Sequence, residues 1–188
     1  MPFEIISKHL NGIKVVKNTV FPDERGSFTE MFRSDLFNEI DLPYEFVQEN
    51  FSISKKNVLR GLHFQWDPPM GKLMRVVFGK AFLVAVDIRQ GSPTIGKWFG
   101  MEIEGDDNIQ VWAPPGFARG FLSLANPTGV QYLCTGIYNK TGESNIRWDD
   151  PDIGIEWPHK TPFLSEKDKI AQSFSDWTSS PQSKKFEF

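Results

Sequence analysis

The chain has 188 residues, enough for one sizeable core and too few for two comfortable ones. Its formal charge of −3 comes from acids and bases interspersed along the whole length, with no basic block to track a phosphate backbone, so nucleic acid is not an expected partner. The single cysteine, Cys134, excludes an intramolecular disulfide. With no signal-peptide core in "MPFEIISKHL" and no apolar run longer than "AFLVAV", the expectation is a cytoplasmic protein without a membrane partner.

Seventeen phenylalanines, 6 tryptophans, 15 glycines and 13 prolines favour pleated segments interrupted often by turns. In chain order, "GIKVVKNTVF" has strand character and "SDLFNEI" reads as a short peripheral helix, with Ser34 or Asp35 as cap and Leu36, Phe37 and Ile40 on one side. "VLRGLHFQ" is an apolar strand carrying polar residues. "KLMRVVFGKAFLVAVDIR" reads as a hairpin turning at Gly79 and Lys80, and "NIQVWAPPGFARGFLSL" as two strands around a Pro-Pro-Gly corner. In "GVQYLCTGIYN" alternation puts Tyr132, Cys134 and Tyr138 on one face and Leu133 and Ile137 on the other. "LSEKDKIAQ" suggests one or two helical turns. "SSPQSKKFEF" has the composition of a mobile tail, so residues 1–178 form one domain and 179–188 its tail. Short strands at intervals of about ten residues, each closed by a turn signal, are the pattern of a β-sandwich or jelly roll.

"NVLRGLHFQ" holds the main anomaly, because burying a charge or an imidazole without a partner is costly. Regular alternation sends Arg60 and His63 to opposite faces of the strand. Gly61 between them marks a bulge that can re-aim one side chain into a shared site. A hydrogen-bonded core histidine is the plain alternative.

The segments "VLRGLHFQ", "GKL", "VDIRQGSPTIGKW", "PPGFARGF" and "IRWDDPDIGIEWP" resemble the nucleotide-sugar 3,5-epimerase family, in order from about Phe21 to Asp168. The resemblance implies an all-β, cupin-type jelly-roll β-sandwich with a few short peripheral helices. It also implies a homodimer with exchanged N-terminal strands, acting without a cofactor on a 4-keto-6-deoxyhexose linked to a nucleoside diphosphate. The C4 ketone of such a sugar acidifies C3–H and C5–H. Inversion needs a base on one face, a proton donor on the other and a partner for the enolate oxygen. His63 suits the base. By resemblance Asp168 orients it, Tyr132 donates the proton, Lys72 faces the C4 oxyanion and Arg60 holds the diphosphate. The nucleoside falls to Phe21, Arg25, Glu30, Gln48, Asn50, Tyr138 and Glu143, with Arg25 and Glu30 serving the partner subunit's site. Without the resemblance, Asp168 reads as a surface acid, Tyr132 as an ordinary strand tyrosine, and Lys72 and Arg60 as snorkelling residues.

No metal is expected. Where many cupins place ligating histidines, this chain has His63 with Gln65, and Arg119 at the corner. Two departures fall in the expected sugar pocket: the family pattern has a histidine in place of Arg119 and an aspartate in place of Leu83. Arg119 therefore joins the substrate-binding set, with inversion at C5 expected to outrun that at C3. The alternatives are a C5-only epimerase of a 3,6-dideoxy or otherwise modified 4-keto sugar on CDP or GDP, and a non-catalytic nucleotide-sugar-binding cupin.

Overall fold

Eleven of thirteen strands are divided between two sheets in a computed structural model that describes residues 1–188. The strands are β1 (Phe3–His9), β2 (Ile13–Asn18), β3 (Val20–Asp23), β4 (Gly26–Thr29), β5 (Gln48–Ser54), β6 (Leu59–Gln65) and β7 (Lys72–Phe78), followed by β8 (Lys80–Asp87), β9 (Trp98–Glu104), β10 (Ile109–Ala113), β11 (Phe117–Ser123), β12 (Thr128–Cys134) and β13 (Glu143–Asn145). Three short helices, α1 (Ser34–Glu39), α2 (Glu166–Lys169) and α3 (Phe174–Ser179), lie at the periphery. A six-stranded sheet runs β1-β2-β10-β7-β12-β5 and a five-stranded sheet β13-β6-β11-β8-β9, while β3 and β4 form a separate hairpin. All named pairs are antiparallel, as in a jelly roll. No helix is long and apolar enough to cross a membrane.

The apolar residues form three layers. Between the sheets lie Ile13, Met74, Leu83, Ala85, Val111, Phe117, Phe121 and Val130. Outside the five-stranded sheet, Phe82, Val84, Val86, Trp157, Trp177 and Phe186 make a second core, and outside the six-stranded sheet Leu73 and Trp112 meet Leu36 and Phe37 of α1. β8 and β11 are covered on both faces, which is why "AFLVAV" is continuously apolar instead of alternating.

Several expectations need correction. "KLMRVVFGKAFLVAVDIR" is not a hairpin, because β7 and β8 belong to different sheets and the chain turns a corner at Gly79. Its φ is +75°, and a Cβ there would stand 2.5 Å from the Pro127 carbonyl oxygen, so only glycine fits. α1 is capped by Arg33, without a side-chain cap bond, instead of by Ser34 or Asp35. β12 ends at Cys134, so Tyr138 lies beyond the strand, past a bend at Thr135 and Gly136. Within the chain β2 pairs with β1 on one side and β10 on the other, and β1 forms the outer edge of the six-stranded sheet. Only the β3–β4 hairpin stands apart, with Phe21 and Phe28 exposed by 49% and 65%.

The last ten residues are not a free tail. Pro181–Lys185 form a 3₁₀ turn, and the buried Phe186 ring sits 6.0 Å from that of Trp177 and 6.3 Å from that of Phe64. Composition alone hides this, because one buried aromatic outweighs a polar neighbourhood. Phe186→Ala is expected to lower the urea-unfolding free energy by roughly 3 kcal/mol; an unchanged midpoint would mean that the segment is only lying on the surface.

Candidate active site

Gly61 bulges β6 as its place in the strand suggests. Arg119 of β11 pairs with His63 and Phe121 with Arg60, so three residue steps on β6 oppose two on β11. Gly61 has φ +147°, and a Cβ on it would stand 2.6 Å from the Gly120 Cα. The bulge brings Arg60 and His63 to one cavity, lined also by Ser52, Lys72, Arg119 and Tyr132. His63 and Arg119 come from the five-stranded sheet, Lys72 and Tyr132 from the six-stranded sheet facing it.

His63 Nε2 lies 2.6 Å from Asp168 Oδ1, a contact between residues 105 apart in sequence. The carboxylate is 2% exposed and fully engaged. Asn145 Nδ2 donates to Oδ1 at 3.3 Å, and the Ser165 hydroxyl donates to Oδ2 at 2.9 Å while accepting from the Asp168 N–H as the cap of α2. Burial pushes the Asp168 carboxyl up, but bonds from His63, Ser165 and Asn145 outweigh it and hold the group below 3.8. An ionised Asp168 accepts a hydrogen bond from Nε2–H, and in the neutral imidazole this leaves Nδ1, which has no protein partner, as the lone-pair nitrogen. Asp168 is thus no surface acid.

Across the cavity, the Lys72 ammonium lies 4.7 Å above the centre of the Tyr132 ring. Burial, then the charge of Arg119, lowers the Lys72 pKa to about 8. Burial, then Cys134, raises that of Tyr132, so the phenol keeps its proton at neutral pH. Burial lowers that of Arg119 to about 10, leaving it charged. The Arg60 guanidinium donates to Ser54 Oγ at 3.1 Å and is otherwise exposed.

Other expected residues are joined by hydrogen bonds. Gln48 donates to Asn50 at 3.1 Å and accepts from the Tyr138 N–H at 2.8 Å, while the Tyr138 hydroxyl donates to Glu143 at 2.7 Å. Lys167 reaches the same Glu143 oxygen at 2.6 Å. Burial works to raise the Glu143 carboxyl, and bonds from Lys167 and Tyr138 bring it below its usual value. Phe21, Arg25 and Glu30 are not brought to this cavity. Arg25 pairs with Asp23 in its own hairpin at 2.6 Å, and Glu30 lies 3.7 Å from Arg33. Leu83 is buried in the core with Met74, Phe121 and Val130 and does not line the cavity.

Ser165, Asn145 and Lys167 were not singled out from the sequence. Ser-x-x-Asp at 165–168 is a helix-cap signal that could have flagged Asp168 as held in place. A larger surface cavity, between the β1–β2 turn and the loop after α1, contains none of these residues.

The fold is that of the cupin-type carbohydrate epimerases, enzymes of the isomerase class. The sequence profile described as dTDP-4-dehydrorhamnose 3,5-epimerase matches residues 7–176, and the chain belongs to that family. It is 47% identical over 173 residues to the dTDP-4-dehydrorhamnose 3,5-epimerase of Neisseria gonorrhoeae, covering 92% of this chain and 53% of that protein, so it spans about half of that relative's length. It superposes with a TM-score of 0.88 on the dTDP-6-deoxy-D-glucose-3,5-epimerase of Legionella pneumophila in complex with dTDP-4-keto-L-rhamnose, at 40% identity over 92% of this chain and 93% of that one. It also matches a 3′-monoepimerase of Streptomyces bikiniensis in complex with dTDP-quinovose, with a TM-score of 0.83 and 32% identity over 88% and 85% of the two chains.

In protein labelled with ¹³C at lysine Cε, the Lys72 signal, identified by its loss in Lys72→Met, should titrate near 8, against 10.5 for an ordinary lysine. Arg119→Met should raise that midpoint without restoring it fully, because burial is the larger cause and remains. A Lys72 midpoint at the ordinary value would show that water reaches the ammonium freely.

Proposed function

We propose that the protein inverts C3 and C5 of a 4-keto-6-deoxyhexose carried on dTDP, with His63 as base and Tyr132 as proton donor. The observation that carries this reading is His63, backed by the buried Asp168, on one wall of a cavity whose other wall holds Tyr132 and Lys72. Base and donor on opposing sheets suit removal of a proton from one face of the sugar and delivery to the other.

His63 Nδ1 takes the proton from a carbon next to the C4 ketone. The C–H electron pair forms the new carbon–carbon π bond, and the carbonyl π electrons move to O4, where the Lys72 ammonium stabilises them. Asp168 stabilises the imidazolium as it forms, as a carboxylate beside a histidine base does. The Tyr132 O–H then gives its proton to the carbon from the opposite face, and solvent restores both groups. Arg60 takes the diphosphate, while Gln48, Asn50, Tyr138 and Glu143 take the nucleoside. The dTDP carrier follows the names of the relatives. Inversion of one carbon alone is the second reading, favoured by the likeness to a 3′-monoepimerase.

Deuterium uptake from D₂O, located by NMR, tests the roles. His63→Asn should bind dTDP yet lose uptake at C3 and C5 by roughly 10²- to 10⁴-fold; undiminished uptake removes His63 from the base position. Tyr132→Phe should depress inversion more than proton loss, and equal damage to both would reduce Tyr132 to positioning the sugar.

The active form is a homodimer in which the β3–β4 hairpin carries Phe21, Arg25 and Glu30 to the partner's rim. Two large exposed phenylalanines on a hairpin with no core of its own support this reading. Mixed dimers of His63→Asn chains with Phe21→Ala/Arg25→Ala chains should then recover about a quarter of wild-type activity, since half the dimers are mixed and each holds one intact site. Inactive mixtures would sink the shared site.

A further inference from the structure

Arg119 has a feature that the proposed mechanism leaves unused. Its Nε and Nη2 are the only buried side-chain nitrogen or oxygen atoms in the protein without a hydrogen-bond partner. The residue is 3% exposed, and no carboxylate pairs with it. Nη1 donates to the Met70 carbonyl oxygen at 2.8 Å, which fixes the plane of the guanidinium. The backbone beneath it is paired to β6 on one side and β8 on the other. A buried cation with two idle donors is expensive, and selection tolerates it where a ligand supplies the acceptors.

Nε–H and Nη2–H lie parallel on one edge of the guanidinium, the geometry that takes two neighbouring oxygens in one plane. Arg119 lines the cavity with Lys72 and stands opposite His63 in the strand register. A 3-hydroxy-4-keto sugar presents adjacent O3 and O4. Loss of the C3 proton to His63 turns C3, C4 and both oxygens into a planar enediolate. C5 deprotonation leaves O3 on a tetrahedral carbon. We infer that the free edge of Arg119 grips O3 and O4 together, making it the residue that selects sugars bearing a 3-hydroxyl and favours removal of the C3 proton. The inference rests on the epimerase reading and reverses the expectation that Arg119 directs the enzyme to C5 or to 3-deoxy sugars. No bond to Arg119 forms or breaks: the proton goes from C3 to His63, its electron pair into the C3–C4 π bond, and a new proton arrives from Tyr132.

The test compares dTDP-4-keto-6-deoxyglucose with its 3-deoxy analogue in D₂O, following label at C5, which both sugars carry. Wild-type kcat/KM for C5 exchange should be roughly 10- to 100-fold lower for the 3-deoxy sugar, the range expected for lost bonds to a charged donor. In Arg119→Met the two sugars should differ by less than about 3-fold, and Arg119→Lys, which keeps the charge but not the fork, should fall between. Equal wild-type values, or a penalty unchanged in Arg119→Met, would overturn the inference and leave a trapped water as the partner of Nε and Nη2. The wild-type comparison decides the matter even if Arg119→Met fails to fold. Failure of the wild type to label either sugar would remove the epimerase reading and the inference with it, a result distinct from equal labelling of both.

Discussion

The main chains of β6 and β11 touch at Gly61 and Gly120. A Cβ on Gly61 would lie 2.6 Å from the Gly120 Cα, and one on Gly120 would lie 2.7 Å from the Arg60 carbonyl oxygen. No side chain can be inserted between strands this close, so both positions require glycine. The close contact coincides with the bulge that breaks alternation, and everything particular to the site follows from that break. Arg60 and His63 reach the same cavity although they are an odd number of residues apart, and Arg119 lies directly across from His63.

Around that joint the charges are unevenly shared. Arg60, Lys72 and Arg119 all line the cavity, and burial lowers the basicity of both Lys72 and Arg119, bringing only Lys72 close to neutrality. The acids nearby are already committed, Asp168 to His63, Ser165 and Asn145, and Glu143 to Lys167 and Tyr138. Such a site carries a positive surplus before any substrate enters. It is matched by a ligand with a diphosphate at one end and a developing oxyanion at the other. The low polarity that makes the surplus costly also strengthens each charge-assisted bond once the ligand supplies the acceptors.

The strands were legible wherever turn residues punctuated them, and the Gly61 bulge was legible because a glycine interrupted an apolar run that also carried Arg60 and His63. The sheet to which each strand belongs was not. Gly79 looks like a hairpin turn in sequence, but the contact that makes it a corner, with the Pro127 carbonyl, comes from a distant segment. The pairing of Asp168 with His63 was legible only through the family resemblance, since the Ser165 cap signal fixes the carboxylate on its helix without saying what it faces. Phe186 escaped for a similar reason: a Ser- and Lys-rich segment conceals one aromatic that finds its partners, Trp177 and Phe64, far back in the chain. Leu83 illustrates the reverse error. Its place in the strand suggested a pocket wall, and it proved to be packing among core residues.

The span of 105 residues between His63 and Asp168 also bears on how the protein comes into being. Translation at about 5 to 20 residues per second delivers Asp168 roughly 5 to 20 s after His63. Through that interval β6 can join its sheet while the imidazole remains without its carboxylate, a state made tolerable by its 32% exposure to water. The imidazole gains its carboxylate only when a four-residue helix seats beside a strand made a hundred residues earlier, and the outer core closes later still, when Trp177 and Phe186 reach Phe64.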